Sequence, residues 1–171
     1  MKQQTICKEI NISGCGIHTG KKSTVTLQPL KENSGIIFQR IDLPGHPMIE
    51  AKFQNVFSTK RSTNIRKNKA EVYTIEHLLA AITGAEIDNL LIKINNLEVP
   101  ILDGSSKLFT NCIKKAGIKK QNIEKKYLKI EKKFFFKDKI SGSSYLVEPA
   151  EKLSIRVELD YKSIFLKNQI A

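Results

Sequence analysis

The stretch Val72-Tyr73-Thr74-Ile75-Glu76-His77-Leu78-Leu79-Ala80-Ala81-Ile82 decides how the rest of the chain is arranged. Ile75, Leu78, Leu79 and Ile82 recur at i, i+3, i+4 and i+7, the period of one helical stripe. Thr74 stands where an N-cap would, and Gly84 stands just past the end, so a helix is expected between them. At about 100° per residue, Glu76 and His77 point away from the stripe, with Ala80 and Ala81 close to His77. The predicted helix buries one side and offers a carboxylate, an imidazole and two small residues on the other. Glu76 and His77 also fall in the first turn, where unpaired N–H groups and the helix dipole favour a carboxylate and disfavour an imidazolium. Those are the forms that a general base and a metal ligand need. A first-turn glutamate beside a single histidine is also ordinary helix chemistry, so the pair alone leaves both readings open.

Working outward toward the N-terminus, loose alternation predicts a strand to about Ile12. Ser13-Gly14-Cys15-Gly16-Ile17-His18-Thr19-Gly20 follows, a loop whose three glycines imply unusual dihedrals or close backbone approach. Gly20-Lys21-Lys22-Ser23 lacks the leading glycine spacing of a phosphate loop. Strands are predicted at Ser23–Gln28, Gly35–Ile41 and Ile49–Val56, divided by turn residues at Pro29, Asn33-Ser34-Gly35 and Pro44-Gly45-His46-Pro47. Arg66–Lys69 reads as a polar loop before the helix.

Beyond Gly84, Asn89–Asn95 reads as an apolar strand, and Pro100-Ile101-Leu102-Asp103-Gly104-Ser105 as a turn into a second helix. Ser105 or Ser106 can cap that helix; Leu108, Phe109, Cys112, Ile113 and Ala116 form its stripe, and Gly117 ends it. Strands first, then helix, strand and helix, predict an α+β fold: a two-layer domain over residues 1–118, a β-sheet with two helices. Residues 119–126 read as a polar connector. Residues 127–171 then look like the first unit beginning again. Tyr127–Phe136 is strand-like, Ser144–Pro149 echoes Thr24–Pro29, and Leu153–Asp160 echoes Gly35–Asp42. The expectation is the first strands of a second, truncated copy, stopping before its helices.

Composition narrows the classes of function. No run approaches the ~18 apolar residues of a membrane span, and no signal peptide is visible. Cys7, Cys15 and Cys112 are odd in number and lack paired spacing, which suits a reducing cytoplasm and argues against a disulfide framework or zinc ribbon. The net charge of +12 raises nucleic acid as a partner. Against it, only Arg40, Arg61, Arg66 and Arg156 are arginines, and the lysines are spread along the whole chain. Base readout and bidentate phosphate contact lean on arginine, so no nucleic-acid partner is expected. A Lys-rich nucleic-acid module stays behind a non-catalytic remnant or interaction domain as the alternative to an enzyme.

Four motifs in register carry a family resemblance: Ser13-Gly14-x-Gly16-x-His18-x-Gly20, Thr74-Ile75-Glu76-His77-Leu78, Ile87-Asp88-Asn89 and Pro100-Ile101-Leu102-Asp103-Gly104-Ser105. Together they resemble the UDP-3-O-acyl-N-acetylglucosamine deacetylases, the zinc enzymes of lipid A synthesis, and the likeness runs over essentially the whole chain. The resemblance implies two domains, each a sheet with two helices, with the active site between them. It implies hydrolytic removal of the N-acetyl group from a UDP-linked acylated glucosamine. Glu76 matches the family's general base, His77 its first zinc ligand, and His18 a loop histidine near the substrate. The family's other zinc ligands come from an HxxxD helix in the second domain, and its general-acid histidine from a later loop. The histidines here are His18, His46 and His77. The expectation is therefore a family deacetylase whose missing second-domain half is required for activity, with no turnover by these 171 residues alone.

Overall fold

The computed structural model describes residues 1–161, 165 and 168–171. The chain divides into two units, Met1–Lys125 and Lys126–Ala171. The first contains strands β1 (Lys2–Ile6), β2 (Ile10–Cys15), β3 (Lys22–Pro29), β4 (Ile36–Arg40), β5 (Met48–Glu50), β6 (Val56–Ser58), β7 (Asn64–Lys67) and β8 (Ala70–Val72). Helix α1 (Glu76–Gly84), strand β9 (Leu90–Ile94), helix α2 (Lys107–Ala116) and strand β10 (Ile118–Glu124) follow.

The principal sheet runs β2-β3-β9-β4-β5. Its register places Val25 opposite Ile94, Leu27 opposite Ile92, and Phe38 beside Ile92 in the parallel β4–β9 pair. Alternation does what a half-covered sheet requires: Ser23, Val25 and Leu27 are buried on β3, and Leu90, Ile92 and Ile94 on β9, while the residues between them stay partly open. Leu78, Ala81 and Ile82 from α1, and Phe109, Ile113 and Ala116 from α2, join the same core. The α+β class expected from the order of elements is the observed one. No helix among the described residues is long and apolar enough to cross a membrane.

Several local expectations give way to tertiary contacts. The first strand is two strands: β1 leaves to pair with β10, and β2 pairs with β3. Residues 119–126, which read as a connector, carry β10, whose Gln121 is buried and donates from Nε2 to the Leu30 carbonyl at 2.8 Å. A polar sequence becomes a strand because β1 offers it a backbone partner. Ile49–Val56 breaks at a single 3-10 turn, Phe53–Asn55, where the Asn55 side chain donates to the Glu50 carbonyl at 2.8 Å. The polar loop at Arg66–Lys69 is the tip of the β7–β8 hairpin, turned by Asn68 at φ 55°.

In α1, Ala81 is 1% exposed and packs inward, leaving Ala80 as the small residue on the open face. Thr74 does not cap. The N-cap position falls to Ile75, with no side-chain cap bond. Ser106 occupies the cap position of α2, also without a cap bond, while the Ser105 hydroxyl accepts from the Lys107 amide at 3.1 Å.

In the second unit, β11 (Phe134–Lys137) pairs with β12 (Ser144–Val147), and β13 (Glu158–Leu159) with β14 (Gln169–Ile170), both antiparallel. Most of Tyr127–Phe136 and of Leu153–Asp160 lies outside these strands. No described residue of this unit is buried, and Phe135 is 68% exposed. Among the described residues, the strands of this unit form as pairs with their side chains left exposed.

Candidate functional site

Three chain segments converge on the start of α1. Just before the helix, Tyr73 bridges to Glu98 in parallel; its amide donates to the Leu97 carbonyl at 2.9 Å and its carbonyl accepts from the Val99 amide at 3.1 Å. Thr74 then turns the chain through φ 58°, a left-handed conformation that a β-branched residue rarely adopts without compensation. The compensation is visible. The Thr74 amide donates to Asn64 Oδ1 at 3.1 Å, and its hydroxyl donates to Glu98 Oε1 at 2.9 Å. The hydroxyl that would have capped α1 is spent on a buried carboxylate instead.

The second segment fixes Glu76. The Ile75 amide donates to the Thr63 carbonyl at 3.2 Å, and the Thr63 amide donates to Glu76 Oε2 at 2.9 Å. That leaves Oε1 on the side of His77, 3.8 Å from its Nε2. The two side chains are 35% and 31% exposed, open enough to meet a ligand yet held by the helix and by Thr63.

The third segment is the glycine loop. Its turn closes through Gly16 amide to Lys21 carbonyl and Gly20 amide to Gly16 carbonyl, both 3.0 Å. The amides of His18 and Thr19 donate to Glu98 at 3.0 and 2.8 Å, and the Thr19 hydroxyl donates at 2.7 Å. Burial alone would raise the Glu98 carboxyl, but these bonds and the one from Thr74 outweigh it and hold it below the ordinary glutamate range. The His18 and Thr19 amides thus face an internal carboxylate. Glycine is required at 16 because a Cβ there would lie 2.6 Å from Glu98 Cδ. His18 itself is exposed, its amide two hydrogen bonds away from Thr74 through Glu98.

The other two motifs act on the frame. The turn at Pro100–Ser105 lies against the loop: the Ile101 amide donates to the Cys15 carbonyl at 2.9 Å, and a Cβ on Gly14 would stand 3.0 Å from Pro100 Cβ. Ile87-Asp88-Asn89 is a tie, with Ile87 and Asn89 buried. Asn89 donates to Gln3 and Gln121 at 2.9 and 2.7 Å and accepts from the Gly35 amide at 2.8 Å. Asp88 accepts from the Gln4 amide at 2.9 Å.

Sequence reasoning singled out Glu76, His77 and His18, and missed Glu98, Thr63 and Asn64. Nothing local marks Glu98. Its one trace in the sequence is Gly16, which makes room for it. Among the described residues no group of three His, Cys, Asp or Glu side chains could hold a metal ion. Catalytic zinc takes three protein ligands, and His77 offers one imidazole, so the residues present do not make up a complete zinc site. An open concavity of about 720 Å³, between Leu43–Met48 and Lys67–Ala70, includes none of Glu76, His77 or His18.

The family model described as LpxC, UDP-3-O-acyl N-acetylglycosamine deacetylase, matches residues 3–171. A bifunctional enzyme LpxC/FabZ of Bacteroides thetaiotaomicron is 42% identical over 171 residues, covering 100% of this chain and 37% of that protein. UDP-3-O-acyl-N-acetylglucosamine deacetylases of Saccharophagus degradans and Geotalea uraniireducens are 40% and 46% identical over 161 and 136 residues. Those matches cover 94% and 80% of this chain, and 53% and 44% of the relatives. The chain therefore spans about half, or less, of the length of these curated relatives.

Proposed function

The chain belongs to the UDP-3-O-acyl N-acetylglycosamine deacetylase family, and from that premise we propose that it forms the N-terminal part of a hydrolase that removes the N-acetyl group from UDP-3-O-acyl-N-acetylglucosamine. The observation that carries the proposal is the Glu76–His77 pair on the open face of α1, with one Glu76 oxygen held by the Thr63 amide and the other left toward His77. In amide hydrolysis a water adds to the acetyl carbonyl, the C–N bond breaks, and acetate leaves as the nitrogen takes up a proton. Glu76 takes the proton of the attacking water through Oε1. The Thr63 amide keeps that carboxylate from turning away, as a base must be held within hydrogen-bond reach of its proton. His77 would serve as one ligand of the zinc that the family resemblance implies, which would polarise the acetyl carbonyl. His18, on the clamped loop, meets the substrate.

The β11–β12 hairpin supports residues 127–171 as the start of a second copy of the 1–118 domain. Phe134 pairs with Val147 and Phe136 with Tyr145, as Ile10 pairs with Leu27 and Ile12 with Val25, and the second members of these pairs are the positions that echo one another in sequence. Three free cysteines support a reducing, cytoplasmic setting.

The test is Glu76→Ala in the shortest form of the protein that turns over the UDP-sugar, beside a thermal melt of the same variant. The rate is expected to fall by about 10²–10⁴, the usual contribution of a positioned base, with the melting temperature retained. A variant keeping more than about a hundredth of the rate would remove Glu76 from this role.

A further inference from the structure

Glu98 is 1% exposed and takes no part in the chemistry assigned to Glu76 and His77, yet it gathers donors from two separate places. Its carboxylate accepts from the His18 and Thr19 amides and the Thr19 hydroxyl on the loop between β2 and β3, and from the Thr74 hydroxyl two residues before Glu76. Apolar replacement of a whole buried polar cluster is often neutral or better, whereas removing the charge alone leaves its donors unpaired. What it supplies is geometry: several donors on one carboxylate define a single position for the loop. Two further features lock that position. Gly16 leaves no room for a side chain beside the carboxylate, and Thr74 holds a left-handed turn while donating to it.

We propose that Glu98 is a positioning residue that fixes the His18 loop against the start of α1, holding His18 at a set place relative to Glu76 and His77. The inference rests on the assignment of those three residues to one site, and extends it to a buried residue outside the chemistry assigned to them. Glu98 acts on the loop through His18 and Thr19, with Thr74 as its anchor on the helix side.

Two measurements test it. In the 171-residue chain, Glu98→Gln replaces a four-fold acceptor with a group whose single carbonyl oxygen cannot serve all four donors. Amide exchange at His18 and Thr19 is expected to accelerate by about 10- to 100-fold, the equivalent of a lost hydrogen bond to a charged acceptor, while the amides of β3 and β9 hold. In the shortest form that turns over the UDP-sugar, Glu98→Gln is expected to lower kcat/KM by about 10- to 100-fold, the scale of a misplaced site group. In a His18→Ala background it is expected to cost nothing further. A merely structural Glu98 would give losses that multiply. Thr19→Val, which removes one donor and keeps the carboxylate, carries the same two measurements at smaller amplitude and decides the matter if Glu98→Gln does not fold. Unchanged exchange, multiplying losses, or a neutral His18→Ala each overturns the proposal. If Glu76→Ala proves neutral, the site assignment fails and the positioning role falls with it, while the exchange result still reports separately whether Glu98 clamps the loop.

Discussion

The β2–β3 hairpin and the β11–β12 hairpin pair in matching register and differ in what lies above them. Val25 and Leu27 are fully buried; at the echoing positions Tyr145 is 58% exposed and Val147 is 41% exposed. Strand pairing is decided by residues a few positions apart along the chain and by the turn that joins them. Burial is decided by a second layer, and among the described residues the helices that supply one lie in the first unit. The two hairpins separate these two steps of folding within a single chain: local pattern makes a ribbon, and α1 and α2 make a core of it.

The largest consequence is association. Phe134, Phe135, Phe136, Tyr145, Leu146 and Val147 leave an apolar surface open in the second unit, and such patches drive self-association. Light scattering is expected to find residues 1–171 associated and residues 1–125 monomeric. Equal, monomeric behaviour of both would mean that the second unit covers itself in solution. Next in size is the cost of a core aromatic. Phe38→Ala, at a fully buried position on β4, is expected to lower unfolding stability by about 3–5 kcal/mol. Phe135→Ala is expected to stay within about 0.5 kcal/mol, as an exposed site should. Chemical denaturation of both variants checks this, and comparable losses would end the contrast between the two units.

The smallest effect sharpens the contrast inside the first unit, where a charge is buried among hydrogen-bond donors. The Glu98 carboxyl is held below its ordinary range by the donors around it. Its contribution is therefore fully present above the ordinary glutamate pKa of about 4.3, and is lost as pH falls through the lower folded value. Unfolding of the wild-type chain and of Glu98→Gln, followed from neutral pH downward, is expected to differ by about 1.5–3 kcal/mol and to converge on acidification. A difference independent of pH would place its origin in packing, with the carboxylate contributing nothing of its own.

Sequence by itself determined the elements whose information is local. The stripe of Ile75, Leu78, Leu79 and Ile82 specified α1, and the alternation around Val25, Leu27, Ile92 and Ile94 specified the sheet. Glu76 and His77 were visible as neighbours on the open side of that helix because 3.6-residue periodicity alone puts them there. Only the tertiary structure decided the rest. It assigned β10 to a polar stretch because β1 had an unpaired edge, and it turned Thr74 from a cap into a donor because Glu98 lay within reach. Glu98 had no periodicity to betray it: its donors lie 24 to 80 residues away in the chain. Contacts at that separation come into being only when the sheet has formed and the loop, the turn and the helix start have been brought to one place.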